Sequence, residues 1–157
     1  MRVSYTNLYA LLEQLTPLPI DCGRLCSRIC CKGGDENTPA GMVLFPGEQQ
    51  RLSQVNFGHI LPLEGQAGWL FVCQGRCDRS LRPLACRLFP LFPYLRPSGR
   101  ISAVYDPRGF RLCPLIQQNR QIRLTPAFVR AVRQVGRALA QTPEGRAYLH
   151  THSREID

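Results

Sequence analysis

Residues 21–32, Asp-Cys-Gly-Arg-Leu-Cys-Ser-Arg-Ile-Cys-Cys-Lys, hold half of the chain's eight cysteines. Asp21 can cap a helical turn that begins at Cys22, and on a continuous helix Cys22, Cys26 and Cys30 share one face because they lie four residues apart. Cys31 then points elsewhere, unless the helix breaks by Gly33. This stretch predicts that sulfur atoms organise the middle of the chain.

Eight cysteines can be disulfides, buried apolar thiols or metal ligands. They are Cys22, Cys26, Cys30, Cys31, Cys73, Cys77, Cys86 and Cys113. Disulfides need an oxidising compartment, and nothing in the sequence directs export, so we expect a cytoplasmic protein. Clustering favours metal ligation, because closely spaced thiolates lower the entropic cost of assembling a site.

The choice between zinc and an iron–sulfur cluster stays open, although we favour iron–sulfur. The adjacent Cys30 and Cys31 argue against one simple tetrahedral zinc knuckle and suit two sites or a larger cluster. The chain has no C-x2-C pair, the spacing most typical of zinc ribbons. The step Cys113-Pro114 is similar to the cysteine-proline that closes the ferredoxin motif.

These residues carry a family resemblance. Cys22-x3-Cys26-x3-Cys30-Cys31, the middle elements around Cys73 and Gly75-Arg76-Cys77, the run Arg82-Pro83-Leu84-Ala85-Cys86-Arg87-Leu88-Phe89-Pro90 and the late Cys113-Pro114 resemble the YkgJ-type family, described as a zinc- or iron-chelating CxxCxxCC domain. The match spans about residues 21–115. Its first cluster has three-residue gaps where the family name implies two, which leaves the cluster type open.

The resemblance implies a metal site rather than a reaction. It marks all eight cysteines as ligands and places Arg82, Pro83 and Arg87 around them. Arginines beside an anionic thiolate cluster would stabilise its charge and raise its reduction potential. Packing of their aliphatic stems against the proline-rich segment is the alternative.

Composition excludes several classes of protein. The 157 residues are 44% hydrophobic and carry a net charge of +9, and the longest apolar runs are too short to span a membrane. Nineteen of the 20 basic residues are arginine, with Lys32 the single lysine. The first 16 residues lack the pattern of a secretory signal. We therefore expect no membrane association.

The sequence predicts short elements between turns. Tyr5, Leu8, Leu12 and Leu15 predict an amphipathic helix over 5–15. The predicted strands are 42–45, 56–63, 68–73 and 101–105, with a hairpin loop at 64–67, a turn at 33–37 and Pro62 confining its strand to an edge. Four prolines between 82 and 97 predict an extended or turning segment at 84–89.

The C-terminal segment, 125–150, is predicted to be helical. Thr125-Pro126 and Thr142-Pro143 each place an N-cap hydroxyl before a proline. Phe128, Val132, Val135 and Leu139 form one face of the first helix, and Arg130, Arg133 and Arg137 form the other. No aromatic residues interleave with these arginines, so we do not expect nucleic-acid binding from the stripe alone.

Histidines and catalytic motifs add little. We expect His59 to be a half-buried structural residue and His150 and His152 to be solvated near the terminus. No catalytic triad, phosphate-binding loop or paired-carboxylate motif is present, so enzymatic activity stays open, including an accessory role in protein modification. The sequence thus predicts a small, single α+β domain over 1–157, irregular and organised by metal, with short strands, an N-terminal helix and C-terminal helices. Its predicted function is redox or electron transfer with a protein partner; the alternative is a structural zinc module that binds nucleic acid or a protein through its basic helix.

Overall fold

The computed structural model describes residues 2–32 and 40–157, which form an α+β fold. Seven α-helices are described: α1 (Tyr5–Leu12), α2 (Gly23–Cys26), α3 (Gln49–Leu52), α4 (Leu84–Leu88), α5 (Pro114–Gln117), α6 (Pro126–Ala140) and α7 (Pro143–Ile156). Short 3-10 turns cover Ile29–Cys31, Arg79–Leu81 and Pro107–Gly109. The turn predicted at 33–37 lies outside the described residues.

Five strands form two antiparallel sheets. The strands are β1 (Met42–Val43), β2 (Gly58–Pro62), β3 (Trp69–Cys73), β4 (Leu91–Leu95) and β5 (Ile101–Tyr105). The first sheet has the order β1-β3-β2 and the second pairs β4 with β5. In the β2–β3 hairpin Gly58 lies opposite Cys73 and Pro62 opposite Trp69. The predicted hairpin is confirmed, and β2, which contains Pro62, is an edge strand as expected.

The main core lies between the second sheet and the long helices. Phe128, Val132, Val135 and Leu139 of α6 are fully buried, so the predicted apolar face is confirmed. Tyr5, Leu8 and Leu12 of α1 are buried in the same core, and the predicted N-terminal helix is confirmed although it ends at Leu12. A smaller core of Leu44, Leu52, Phe57 and Phe71 lies beneath the first sheet.

One local prediction is wrong, and one strand was not predicted. Residues 84–88 form helix α4 rather than an extended segment, because Pro83 stands directly before the helix, where no backbone N–H is needed. Strand β4 follows it and includes Pro93, a residue that the sequence did not place in a strand. A two-stranded sheet has only edges, so β4 can hold a proline.

Both C-terminal helices begin at the predicted prolines, Pro126 and Pro143, but one cap and one helix end differ from expectation. Thr142 Oγ1 accepts a hydrogen bond from the Gly145 N–H at 3.1 Å, which confirms that cap. Thr125 makes no such bond, and its buried hydroxyl has no hydrogen-bond partner, so its predicted capping role is wrong. Helix α7 continues to Ile156, beyond the predicted end. Within the described residues, every helix is too short or too polar to cross a membrane.

Candidate metal centre

The first cysteine cluster does not lie on one continuous helix. Asp21 Oδ1 accepts a hydrogen bond from the Gly23 N–H at 3.0 Å and starts α2, as predicted. The helix ends at Cys26, because Ser27 and Arg28 both adopt the left-handed conformation, with φ of 53° and 55°. A 3-10 turn then carries Cys30 and Cys31. The expected shared face of Cys22, Cys26 and Cys30 is therefore wrong.

Three distant segments bring most of the cysteines to one cavity of about 210 Å³, which we call the thiol cavity. They are residues 21–32, which contain α2 and which we call the α2 segment, the end of β3 with its following loop, and α4. Six cysteines line the cavity: Cys22, Cys30, Cys31, Cys73, Cys77 and Cys86. All eight cysteines, each within the described residues, are free thiols rather than disulfides.

The other two cysteines lie beside the thiol cavity. Cys113 is buried in a small apolar cluster with Leu18, Leu115 and Ile116, and Cys22 packs against that cluster. The charge of Cys113 and of Cys26 would act on Cys22, so these three thiols form a second neighbourhood around the α2 segment. The eight thiols thus form two adjoining groups that share Cys22.

The surroundings of Cys31 make its thiol more acidic than an ordinary cysteine. A hydrogen bond from the Cys30 thiol, with the nearby guanidinium groups of Arg82 and Arg28, lowers the pKa of Cys31 to about 6. The same hydrogen bond, together with burial, raises the pKa of Cys30. Burial also raises the pKa of Cys86 and of Cys22. The arrangement favours a thiolate at Cys31 and neutral thiols at Cys30, Cys86 and Cys22.

The two arginines singled out from the sequence have different surroundings. Arg82 Nε donates to Cys77 Sγ at 3.3 Å, so its charge lies against the thiols. Arg87 instead donates to the carbonyls of Arg79 and Ser80 at 2.9 and 3.0 Å, and its guanidinium stacks over the Tyr9 ring at 4.3 Å. Arg87 therefore holds the 3-10 turn before Arg82 in place, whereas Arg82 contacts sulfur.

Charged residues surround the thiol cavity, and Arg28, Arg76 and Arg79 among them were not singled out from the sequence. Asp21 forms ion pairs with Arg28 at 3.6 Å and with Arg79 at 3.4 Å, which joins the α2 segment to the loop after β3. Among the residues that the structure describes, five cations and this one carboxylate line the cavity; the cations are Arg28, Lys32, Arg76, Arg79 and Arg82. The sequence shows that these residues lie close to cysteines along the chain. It does not show that their side chains point into the cavity.

A buried carboxylate positions the helix that carries Cys86. Glu48 is fully buried and accepts hydrogen bonds from the Tyr9 hydroxyl and from the Leu84 and Phe45 N–H groups. Burial raises its pKa, while the three donors oppose that rise. The Leu84 N–H belongs to the first turn of α4, where it has no partner within the helix. Glu48 thus fixes the start of α4 at Leu84, and Leu84 lies two residues before Cys86.

Two of the three histidines have a different burial from the one predicted. His59 is exposed on β2 rather than half-buried. His152 is buried, 4% exposed, and its Nδ1 lies 2.8 Å from Glu155 Oε2, so the expectation that it is solvated is wrong. His150 is exposed, as expected.

The sulfur atoms converge without forming a closed coordination sphere. Among residues 2–32 and 40–157, no group of three or more histidine, cysteine or acidic side chains is arranged so that it could hold a metal ion. Comparison with family models, curated proteins and solved structures gave no match for this chain.

Proposed function

We propose that the protein binds an iron–sulfur cluster or zinc through cysteine thiolates at the thiol cavity, with electron transfer as its role if the metal is iron. The observation that carries the proposal is the convergence of six thiols from three distant segments on one cavity. A set of donors made only of sulfur suits both kinds of metal centre. Its resemblance to the YkgJ-type cysteine pattern points to the same chemistry.

The all-sulfur donor set suits a metal by its chemistry, and the side chains would have to move to close a coordination sphere around it. Cys30, Cys31, Cys73, Cys77 and Cys86 would supply the ligands from the thiol cavity, and Cys22, Cys26 and Cys113 those from the second neighbourhood. An iron–sulfur cluster would supply one-electron transfer, and zinc would supply a structural cross-link.

The chain's own residues would prepare the site for a negative charge. The acidic Cys31 provides one thiolate near neutral pH. Arg82 lies against Cys77 and offsets the charge that accumulates as thiols ionise. Thiols that must stay reduced suit the cytoplasm, and electron transfer would need a redox partner protein.

The test is to purify the protein anaerobically and to measure iron, sulfide and zinc on one sample, with its ultraviolet–visible spectrum. A broad visible absorbance with matching sulfide would identify an iron–sulfur cluster, and a colourless protein with near-stoichiometric zinc would identify a zinc site. Protein that holds neither metal at near-stoichiometric amounts would refute the proposal.

Matched substitutions connect the metal to the thiol cavity. Cys86→Ser and Cys31→Ser should each lower the metal content, because both side chains line the thiol cavity. His59→Ala is the control, since His59 is exposed on an edge strand. Circular dichroism would establish that each variant is folded, and equal metal loss in the control would contradict the ligand assignment.

A further inference from the structure

Exposed apolar side chains are concentrated around the cysteines. Six large hydrophobic residues are exposed in the described part of the chain, and five of them lie on three segments, residues 20–25, 79–81 and 109–113. We call these five the apolar collar: Ile20 (55% exposed), Leu25 (49%), Leu81 (44%), Phe110 (57%) and Leu112 (41%). The sixth, Trp69, begins β3 at the loop end of the β2–β3 hairpin. Solvated apolar groups gathered in one region typically mark an interaction site.

Contacts between segments hold the apolar collar together. The ion pair of Asp21 with Arg79 joins the segment of Ile20 and Leu25 to the turn that carries Leu81. Packing of Cys22 against the cluster of Cys113 joins the same segment to the turn of Phe110 and Leu112. That turn is closed by the hydrogen bond from the Cys113 N–H to the Gly109 carbonyl at 2.9 Å.

The apolar collar is interspersed with positive charge. Exposed arginines lie on or next to the same segments, at Arg24, Arg28, Arg76, Arg79 and Arg111. The acidic residues on or next to these segments are Asp21, already paired with two of the arginines, Asp106, which is buried and paired with Arg108, and Asp78. Arginine with apolar groups is the composition typical of protein interfaces. The excess of arginine selects a partner with an acidic rim.

The charge also argues against the other occupants. Two copies of a chain with net charge +9 would bring like-charged rims together. Single-stranded nucleic acid is held mainly by stacking on aromatic side chains, and Phe110 is the one aromatic residue of the apolar collar. We infer that the apolar collar is a docking surface for a partner protein that presents apolar side chains within an acidic rim.

The surface is defined by exposure and charge, so it goes beyond the metal site and does not depend on it. The probe is an 18-residue amphipathic helical peptide with leucine on one face and glutamate on the other, and the matched control peptide has lysine in place of glutamate. Binding is followed by fluorescence anisotropy and by ¹⁵N chemical-shift mapping, in reductant, on metal-free and metal-loaded protein. A salt series tests the charge contribution, because exposed ion pairs are screened.

The expected result is that the acidic peptide binds and shifts resonances of the apolar collar, whereas the lysine peptide does not. Leu25→Ser, Leu81→Ser and Phe110→Ser should each weaken binding about threefold to tenfold, while Trp69→Ser changes it less than twofold. Arg24→Glu and Arg111→Glu should weaken binding and reduce its salt dependence, while Arg133→Glu on α6 should not.

Three outcomes would overturn the inference. They are equal binding of the two peptides, shifts that lie outside the apolar collar, and displacement of the acidic peptide by a single-stranded oligonucleotide at equal charge concentration. If the wild-type protein binds the acidic peptide but no metal, only the proposed function is refuted. If it binds metal but not the acidic peptide, only the docking surface is refuted.

Discussion

At the scale of single residues, Cys31 is the side chain whose protonation most changes the thiol cavity. The hydrogen bond from Cys30 and the neighbouring Arg82 and Arg28 lower its pKa to about 6, so in metal-free protein it is mainly thiolate at pH 7. We expect iodoacetamide to modify Cys31 before Cys22, whose pKa burial raises. The rate should fall as the pH drops through about 6, because the thiolate is lost.

Mass-spectrometric peptide mapping after short exposure measures this order, with a pH series from 5 to 8. Arg82→Gln should slow the modification of Cys31 at pH 6, because a cation that favours the thiolate is removed. Arg133→Gln is the control for a change in net charge alone, since Arg133 is exposed on α6. Modification of Cys22 as fast as Cys31 at pH 7 would contradict the prediction.

Glu48 is the residue whose loss should most destabilise the region around Cys86. Glu48→Ala leaves the N–H groups of Leu84 and Phe45 and the Tyr9 hydroxyl without their acceptor inside the protein. Buried donors without partners cost about 1–3 kcal/mol each, so the free energy of unfolding should fall by about 3 kcal/mol or more. Urea unfolding measures the loss, and exposed Glu13→Ala should stay within about 0.5 kcal/mol of the wild type.

The sequence predicted the kinds of residues at the site better than their directions. Cysteine spacing selected all six thiols of the thiol cavity, and the residues around Cys86 selected Arg82. Arg87 lies one residue from Cys86, yet its guanidinium turns to backbone carbonyls. Glu48 lies 38 positions before Cys86 in sequence, so only tertiary packing shows that it fixes the start of α4.

At the scale of elements, the two threonine–proline starts provide a matched pair. Thr142 Oγ1 accepts from the Gly145 N–H, whereas the buried Thr125 hydroxyl has no hydrogen-bond partner. Thr142→Ala should lower the free energy of unfolding by about 1 kcal/mol, as expected for a lost N-cap. Thr125→Val should be neutral or stabilising, because it removes an unsatisfied buried polar group. Equal losses in urea unfolding would contradict this assignment.

Helix α6 approaches the second sheet closely at Gly136. A Cβ at this position would lie 2.6 Å from Ile101 Cγ2 and 2.7 Å from Pro93 Cβ. Gly136→Ala should therefore destabilise the fold by about 1–3 kcal/mol through overpacking, although alanine is the better helix former by about 1 kcal/mol. Gln134→Ala, at an exposed position of the same helix, is the control. A stabilised Gly136→Ala variant in thermal unfolding would contradict this packing.

Element prediction was reliable where one periodicity dominates and failed where prolines are dense. The apolar face of α6 and the hairpin β2–β3 could be read from the sequence. Around Pro83, Pro90 and Pro93 the residues give no clear period, so α4 and β4 were not separable from an irregular segment. The left-handed Ser27 and Arg28 that end α2 are non-glycine residues, which the sequence does not mark as a break.

At the scale of the whole molecule, the thiol cavity joins parts of the chain that otherwise have separate cores. The end of β3 belongs to the sheet above the small core of Phe57 and Phe71, whereas α4 contributes Leu84 and Leu88 to the main core. Cys73 and Cys86 bring these parts to one cavity. The sequence predicted that distant cysteines meet. Only the fold shows that the first sheet supplies Cys73 and that α4 supplies Cys86.

A metal bound at the thiol cavity should therefore stabilise the entire fold, because it would link segments that two different cores support. A ligand that binds only the folded state at 100 times its dissociation constant adds about 2.7 kcal/mol, which corresponds to a rise in Tm of roughly 5–10 °C for a chain of this length. Calorimetry of metal-loaded and chelated protein under reducing conditions measures the difference. Cys31→Ser should abolish the metal-dependent rise while leaving the Tm of the chelated protein nearly unchanged, since Cys31 lies on a half-buried 3-10 turn outside both cores. An identical Tm for metal-loaded and chelated wild-type protein would show that no metal bound by the thiols links the two parts of the molecule.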